Sequence, residues 1–271
     1  MIKKIIVLTG NEMRHEFFRK YISSFPSVEV MISFCEVIES IEDELIQNKA
    51  EDYSLQESHL QMRSNVEIDF FRLFNETISD KSNPVFIRKG QINDAEWVNH
   101  IKKLNPDFII SYGCSIIKSE LIEIFEGRFI NVHLGLSPYY RGSATNFWPF
   151  VNNEISCVGV TFMFIDRGVD TGEIIHQQRA SIIHGDNIHT IGCRLIQDMV
   201  KSVVLILENI DEFTKRNLAK NLNCKYRYYR KKDFCEQAVS QAYINIKNGI
   251  IEDYLKNKNI IDINYPIINL V

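Results

Sequence analysis

The first thirty-odd residues restrict the fold more than any other stretch. Ile5 to Thr9 is an almost unbroken apolar run, as parallel strands buried on both faces tend to be. Gly10-Asn11 supplies a turn. Phe17, Phe18, Tyr21 and Ile22 then recur at helical spacing. Val28 to Ser33 is a second strand-like run. Strand, helix and strand at this spacing imply a right-handed βαβ crossover and a doubly wound α/β sheet. Lys3-Lys4 ahead of the first run gives it the look of a leader, but the run is too short for one and no Ala-x-Ala site follows, so a buried strand is expected.

Further elements follow the same alternation. Residues 36–80 form a long acidic, helix-favouring insertion between strands, expected to cover a site or meet a second subunit of a homodimer. His59/Arg63 and Phe70/Phe74 each share a helix face. Pro84 to Ile87 is a strand. Asn93 or Asp94 caps a helix through Trp97, Val98, Ile101 and Leu104. Pro106 to Gly113 is a strand ending in glycine, and a helix is expected over 116–125. A strand over 129–134 comes next, then a helix starting near Ser143 or Thr145. Strands are expected over 158–165, antiparallel, and 174–183. Asp186 or Asn187 caps a helix with apolar residues from Ile191 to Leu207. Beyond Asp211 the composition turns basic and aromatic, with Tyr226, Tyr228, Tyr229 and Phe234 among lysines and arginines. That segment suits stacking on a nucleic acid, a nucleotide phosphate site or a plain surface strand. A helix over 236–247 and a short isoleucine-rich end complete the chain.

Composition removes several classes. A chain of 271 residues with 45% hydrophobic and 24% charged residues is that of an ordinary globular protein. Its net charge of −4 gives no global pull towards nucleic acid. No run approaches the ~18 apolar residues of a membrane span. The first strand is not followed by Gly-x-Gly-x-x-Gly, which argues against a nicotinamide enzyme. Cys35, Cys114, Cys157, Cys193, Cys224 and Cys235 form no Cys-x-x-Cys pair, so no metal site is expected and reduced thiols in a cytoplasmic protein are.

The chemistry-bearing stretch runs from Arg128 to Ile175. Asn131 and His133 lie two apart on an apolar strand, so they point to one side. A turn-rich loop follows, and the run Val158 to Ile165 ends in the glycine-flanked turn Asp166-Arg167-Gly168-Val169-Asp170-Thr171-Gly172. The turn lifts Asp170 out of regular structure. An amide, an imidazole and a carboxylate thus occur near turns on a rigid scaffold, where catalytic groups usually sit. Each also has a plain structural reading: a satisfied core histidine, or polar residues that bond their own turns.

Asn131-x-His133, Pro138-Tyr139-Tyr140-Arg141-Gly142 and Asp166-x-Gly168-x-Asp170-Thr171-Gly172, in that order, resemble the signature of the folate-dependent formyltransferases. The His-x-Gly-x-Ser-Pro and Ala-Thr-Asn-Phe-Trp-Pro versions are most similar to the sugar N-formyltransferases. Leu134-Gly135-Leu136-Ser137-Pro138 departs from the Ser-Leu-Leu-Pro of the tRNA-type enzymes. The resemblance implies a Rossmann-like formyltransferase fold, a mostly parallel sheet flanked by helices. It implies a catalytic domain over 1–210 and a small C-terminal extension over 211–271. It implies N10-formyltetrahydrofolate as co-substrate and a small-molecule primary amine as acceptor, on a nucleotide-linked sugar, with neither membrane nor nucleic acid as partner. Asn131, His133 and Asp170 would be catalytic. Tyr112, Gly113, Cys114, Ile117, Asp166, Gly168 and Val169 would meet the folate. Gly10 and Asn11 either hold a substrate phosphate on backbone N–H groups or simply turn the chain. Arg141 either fixes its loop or meets an anionic group of the acceptor. Alternatives are a methionyl-tRNA formyltransferase, a formyltetrahydrofolate hydrolase and a binding module without turnover.

Overall fold

The computed structural model describes residues 2–37, 54–215 and 226–269. The acidic stretch 38–53 and the basic positions 216–225, with Cys224, lie outside the described residues. Within them the chain runs β1 (Lys3–Thr9), α1 (Met13–Ser23), β2 (Val28–Val37), α2 (Leu55–Thr77), β3 (Pro84–Arg88), α3 (Ala95–Leu104), β4 (Phe108–Tyr112), α4 (Ser119–Ile124) and β5 (Phe129–His133). It continues as β6 (Tyr140–Gly142), α5 (Trp148–Val151), β7 (Gly159–Phe164), β8 (Ile174–Arg179), α6 (Ile188–Glu208), α7 (Ile210–Lys215), β9 (Arg227–Tyr229), α8 (Glu236–Lys247) and α9 (Ile250–Ile263).

Seven strands form one sheet in the order β3-β2-β1-β4-β5-β7-β8. β1 to β5 are parallel, and β7 runs antiparallel to both its neighbours, so the sheet is mostly parallel as expected. The order reverses between β1 and β4, which opens the crevice that doubly wound sheets use for ligands. Strand alternation builds two cores. Ile5, Val7, Ile110, Ile130 and Val132 face α1 and α6, while Ile6, Leu8, Ile109 and Phe129 face α3 and α4.

Local signals place two of the longest helices. Asn187 caps α6 by accepting from the His189 and Thr190 amides at 2.9 and 3.0 Å. α2 begins at a capping box: Ser54 Oγ accepts from Glu57 N–H, and Glu57 returns a bond to Ser54 N–H. Phe71 and Phe74 of α2 pack on Phe17 at 4.8 and 4.9 Å, so the aromatic face of the insertion packs against α1.

Four expectations need correction. The helix expected from Ser143 or Thr145 is only the short α5, because Ser143 N–H is taken by Tyr229 O and Ala144 sits in the left-handed region at φ +56. The strand expected over 174–183 ends at Arg179, and the helix expected over 116–125 starts at Ser119. The isoleucine-rich end is the 14-residue helix α9. Ile250, Ile251 and Tyr254 fall on one helical face and are buried.

The tail after Asp211 therefore shares the main core. Val239, Ala242, Ile250, Ile251 and Tyr254 belong to the same apolar cluster as Met199 and Val203 of α6. The chain end also bolts onto β8. Gln177 N–H donates to Ile268 O at 2.7 Å, and Gln177 Oε1 accepts from Ile268 N–H at 3.1 Å. Ile251→Ala should cost about 2–5 kcal/mol and keep one cooperative unfolding transition by circular dichroism. A separate transition for the remainder of the chain would contradict a shared core.

Burial also holds histidines neutral. It lowers His59 and His176 to about 4 and His189 to about 3. Below the ordinary histidine value of 6.5 the unfolded chain takes up protons that the folded chain refuses. This contribution to stability is complete above that value and is lost as pH falls towards 4. The unfolding free energy from urea titration should drop between about pH 7 and pH 5, by at most about 1.4 kcal/mol per pH unit per histidine, and the midpoint with it. A midpoint flat across that interval would contradict neutral burial.

Candidate active site

β5 carries Asn131 and His133 on the sheet face opposite to Ile130 and Val132. The turn after β7 brings Asp170 to both. Asn131 Nδ2 donates to Asp170 Oδ1 at 3.2 Å, and His133 Nδ1 lies 3.3 Å from the same oxygen. The other carboxylate oxygen accepts from Gly142 N–H at 2.9 Å. Both side chains are largely enclosed, at 7% exposure for His133 and 10% for Asp170. The amide and imidazole of β5 and the sequence-distant carboxylate of Asp170 thus share one cluster.

The surroundings fix each head group. Ser111 Oγ on neighbouring β4 donates to Asn131 Oδ1 at 3.0 Å, which turns the amide nitrogen towards Asp170. One of the two N–H groups on that nitrogen bonds Asp170; the second is unspent among the described residues. His133 Nε2 lies 3.1 Å from Tyr140 O, an acceptor only, so this nitrogen carries a proton. Nδ1 faces the carboxylate. Asp170 itself is left-handed, at φ +52, a conformation that costs energy away from glycine.

The turn that lifts Asp170 is closed by Asp166, which accepts from Gly168 N–H at 2.9 Å and from Thr171 Oγ1 at 2.8 Å. Beneath the cluster, the loop 135–138 is bolted down. Thr161 Oγ1 donates to Gly135 O at 2.7 Å and accepts from Ser137 N–H at 3.0 Å, and Gln177 Nε2 donates to Ser137 O at 2.7 Å. β9 then covers β6. Tyr229 stacks on Trp148 at 4.0 Å, and Ser143 N–H donates to Tyr229 O at 2.8 Å. A Cβ on Gly142, at φ +95, would sit 2.1 Å from Tyr229 O, so only glycine fits there. Arg227, also in the basic stretch, pairs with Glu154 at 2.6 Å.

The remaining candidates divide. Cys114 and Ile117 pack in the core on the same sheet face as Asn131. Burial, with Glu36 nearby, pushes the Cys114 thiol up to about 12, which keeps it protonated and removes it as a nucleophile. Gly113 and Gly168 are exposed, and Val169 is 37% exposed. Tyr112 is a correction. Strand alternation sends its ring to the other face, against Phe18 and His15 at 4.8 and 5.0 Å, away from Asn131. Gly10 packs against the buried His15, and Asn11 is exposed. Glu12 holds the N-cap of α1, where its carboxylate works against a phosphate at that helix end. Arg141 Cζ lies 4.3 Å over the Tyr226 ring, and its Nε is buried without a partner. Ser111, Tyr140 and Gly142, which orient the cluster, escaped the sequence reading as orienting groups; Gly142 alone carried a signal, as the glycine after Arg141.

A family model for formyl transferases matches residues 43–207, more than half of the chain. The methionyl-tRNA formyltransferase of Thermodesulfovibrio yellowstonii is 39% identical over 127 residues, 46% of this chain and 40% of that protein. That of Desulforamulus reducens is 37% identical over 119 residues, 43% of this chain and 37% of that protein. The chain thus spans well under half the length of these curated relatives. A sugar N-formyltransferase from Shewanella sp FDAARGOS_354 shares the fold, at a TM-score of 0.55 and 19% identity, over 86% of this chain and 79% of that one. So does glycinamide ribonucleotide transformylase 1 from Geobacillus kaustophilus, at 0.53 and 18%, over 78% of this chain and 99% of that one. With the matched segment carrying Asn131, His133 and Asp170, the chain belongs to the formyl transferase family.

Proposed function

We propose that this protein is an N-formyltransferase that moves a formyl group from N10-formyltetrahydrofolate to a primary amine on a nucleotide-linked sugar. The observation that carries the reading is the meeting of Asn131, His133 and Asp170 around one carboxylate oxygen. Exposed apolar side chains on the two segments assigned to the folate, Ile116 at 79% and Val169 at 37%, suit a flat ring. The folate supplies the activated formyl group.

The chain's own residues would do the rest. The neutral amine attacks the formyl carbon, and negative charge grows on the formyl oxygen. The unspent N–H of Asn131 is the donor for that charge, held in direction beforehand by Ser111. As the C–N bond forms, the amine gives up a proton, and the departing folate nitrogen needs one. His133 Nδ1 and Asp170 form the relay between them. Asp170 stabilises the imidazolium while it carries the proton. Activity should therefore fall at low pH, where the acceptor amine is protonated.

The acceptor reading draws on Arg141. Its guanidinium stacks on Tyr226, makes no ion pair among the described residues, and sits one residue from the amide that binds Asp170. A small anionic acceptor would find its counter-charge there. The relatives' names favour a second acceptor, methionyl-tRNA, and mass spectrometry decides. A nucleotide-linked amino sugar incubated with enzyme and formyl-folate should gain the mass of one CO. Formylation of charged initiator tRNA alone would favour the second reading.

Asn131→Ala should lower kcat about 100- to 1000-fold with a small change in either KM. Equal activity in this variant would remove Asn131 from the chemistry. Arg141→Gln should instead raise acceptor KM roughly 10- to 100-fold, the scale of a charged hydrogen bond, while kcat holds. An unchanged acceptor KM would return Arg141 to a loop-fixing role.

A further inference from the structure

The loop between β4 and α4, from Gly113 to Lys118, is held by two side chains that lie outside it. Glu36, the last residue but one of β2, is 1% exposed. No ion pair reaches its carboxylate among the described residues. One oxygen accepts from Gly90 N–H at 2.9 Å, and the other accepts from Ser115 N–H at 2.6 Å. Asn93 works beside it. Its Nδ2 donates to Gly90 O at 3.2 Å and to Ile116 O at 3.0 Å, and its Oδ1 accepts from Lys118 N–H at 2.7 Å.

Ser115 N–H, Ile116 O and Lys118 N–H of one short loop are thus spent on two side chains. Burying a carboxylate away from cations is costly unless its lone pairs are filled. A loop that only needed closing has neutral ways to do it. Charge-assisted bonds are shorter and stronger, so they hold the backbone more stiffly. The same loop leaves β4 just after Ser111, the residue that orients Asn131. It also carries Gly113, Cys114 and Ile117, assigned to the folate. A stiff loop at that place sets the distance between a donor wall and the catalytic amide.

We propose that Glu36 and Asn93 are positioning residues for the formyl donor: they hold the Gly113–Lys118 loop in the shape that receives the folate. The inference rests on reading this loop as the folate wall. Neither residue touches Asn131, His133 or Asp170 through any hydrogen bond described above. Their loss should weaken donor binding and spare the chemical step.

The test uses Glu36→Gln and Asn93→Ala in the full chain. Glu36→Gln keeps shape but turns an N–H towards a loop amide that already donates. KM for N10-formyltetrahydrofolate should rise by about tenfold or more in Glu36→Gln, the scale of one lost charge-assisted bond, and by about three- to tenfold in Asn93→Ala, whose lost bonds are neutral. kcat and acceptor KM should move by less than about twofold. Iodoacetamide labelling, read by peptide mass spectrometry, adds a readout free of turnover. Cys114 in the loosened loop should label faster, while the buried Cys157 and Cys193 stay protected. Unchanged folate KM and unchanged Cys114 labelling in both variants would overturn the proposal. So would labelling of all three cysteines together in both variants, with every kinetic constant lost at once, since that marks general unfolding. If Glu36→Gln fails to fold, Asn93→Ala decides on the same readouts. Absence of tetrahydrofolate binding by the unaltered protein would overturn the underlying reading, and this inference with it.

Discussion

One carboxylate organises the site. Asp170 bonds an amide, faces an imidazole and takes a backbone N–H from a third segment, all in a nearly closed space. Three pieces of chain meet there: β5, β6 and the turn after β7. Holding the carboxylate in place costs backbone energy, since Asp170 sits in the left-handed region without being glycine. The turn repays that cost locally, through Asp166 and Thr171, and globally, through the three contacts of the carboxylate itself. Remove the negative charge and Gly142 N–H, Asn131 Nδ2 and His133 Nδ1 all lose their common partner.

The scaffold shows the same habit at a larger scale. Polar side chains, most of them buried, hold the loops around the site together with apolar packing. Thr161 and Gln177 fix the segment ahead of β6, and Gln177 reaches on to the chain end at Ile268. Glu36 and Asn93 fix the loop after β4. Every one of these groups is satisfied by backbone, which is the condition under which burial of polar atoms is tolerated. β9 reinforces β6 from the tail, so the C-terminal residues help to shape the segment that carries Gly142 as well as to complete the core.

Much of this was legible in the sequence where period and turn chemistry decide. Two-residue spacing placed Asn131 and His133 on one face, and the glycine-flanked turn lifted Asp170. The parallel pairing of the first two strands followed from the βαβ pattern. What escaped depended on pairing between distant strands. Ser111 lies beside Asn131 only because β4 and β5 are neighbours in that register, and the same register turns Tyr112 to the far face. Sequence parity along β4 held that information, but it becomes readable only with the partner strand known. The three-residue strands β6 and β9 are too short for any periodic signal, so residues 140–147 read as loop and helix. The α9 helix was hidden by isoleucines, whose branched side chains favour strands until a core claims them.

The account stands on Asn131 and Asp170 acting as one device. The most direct measurement is a double-mutant cycle on single-turnover formyl transfer, with Asn131→Ala, Asp170→Asn and the two combined. If Asp170 works by holding the amide and the imidazole together, the combined variant should be about as slow as the worse single one. If the two losses simply multiply, the groups act independently, and the shared carboxylate is not what makes the site.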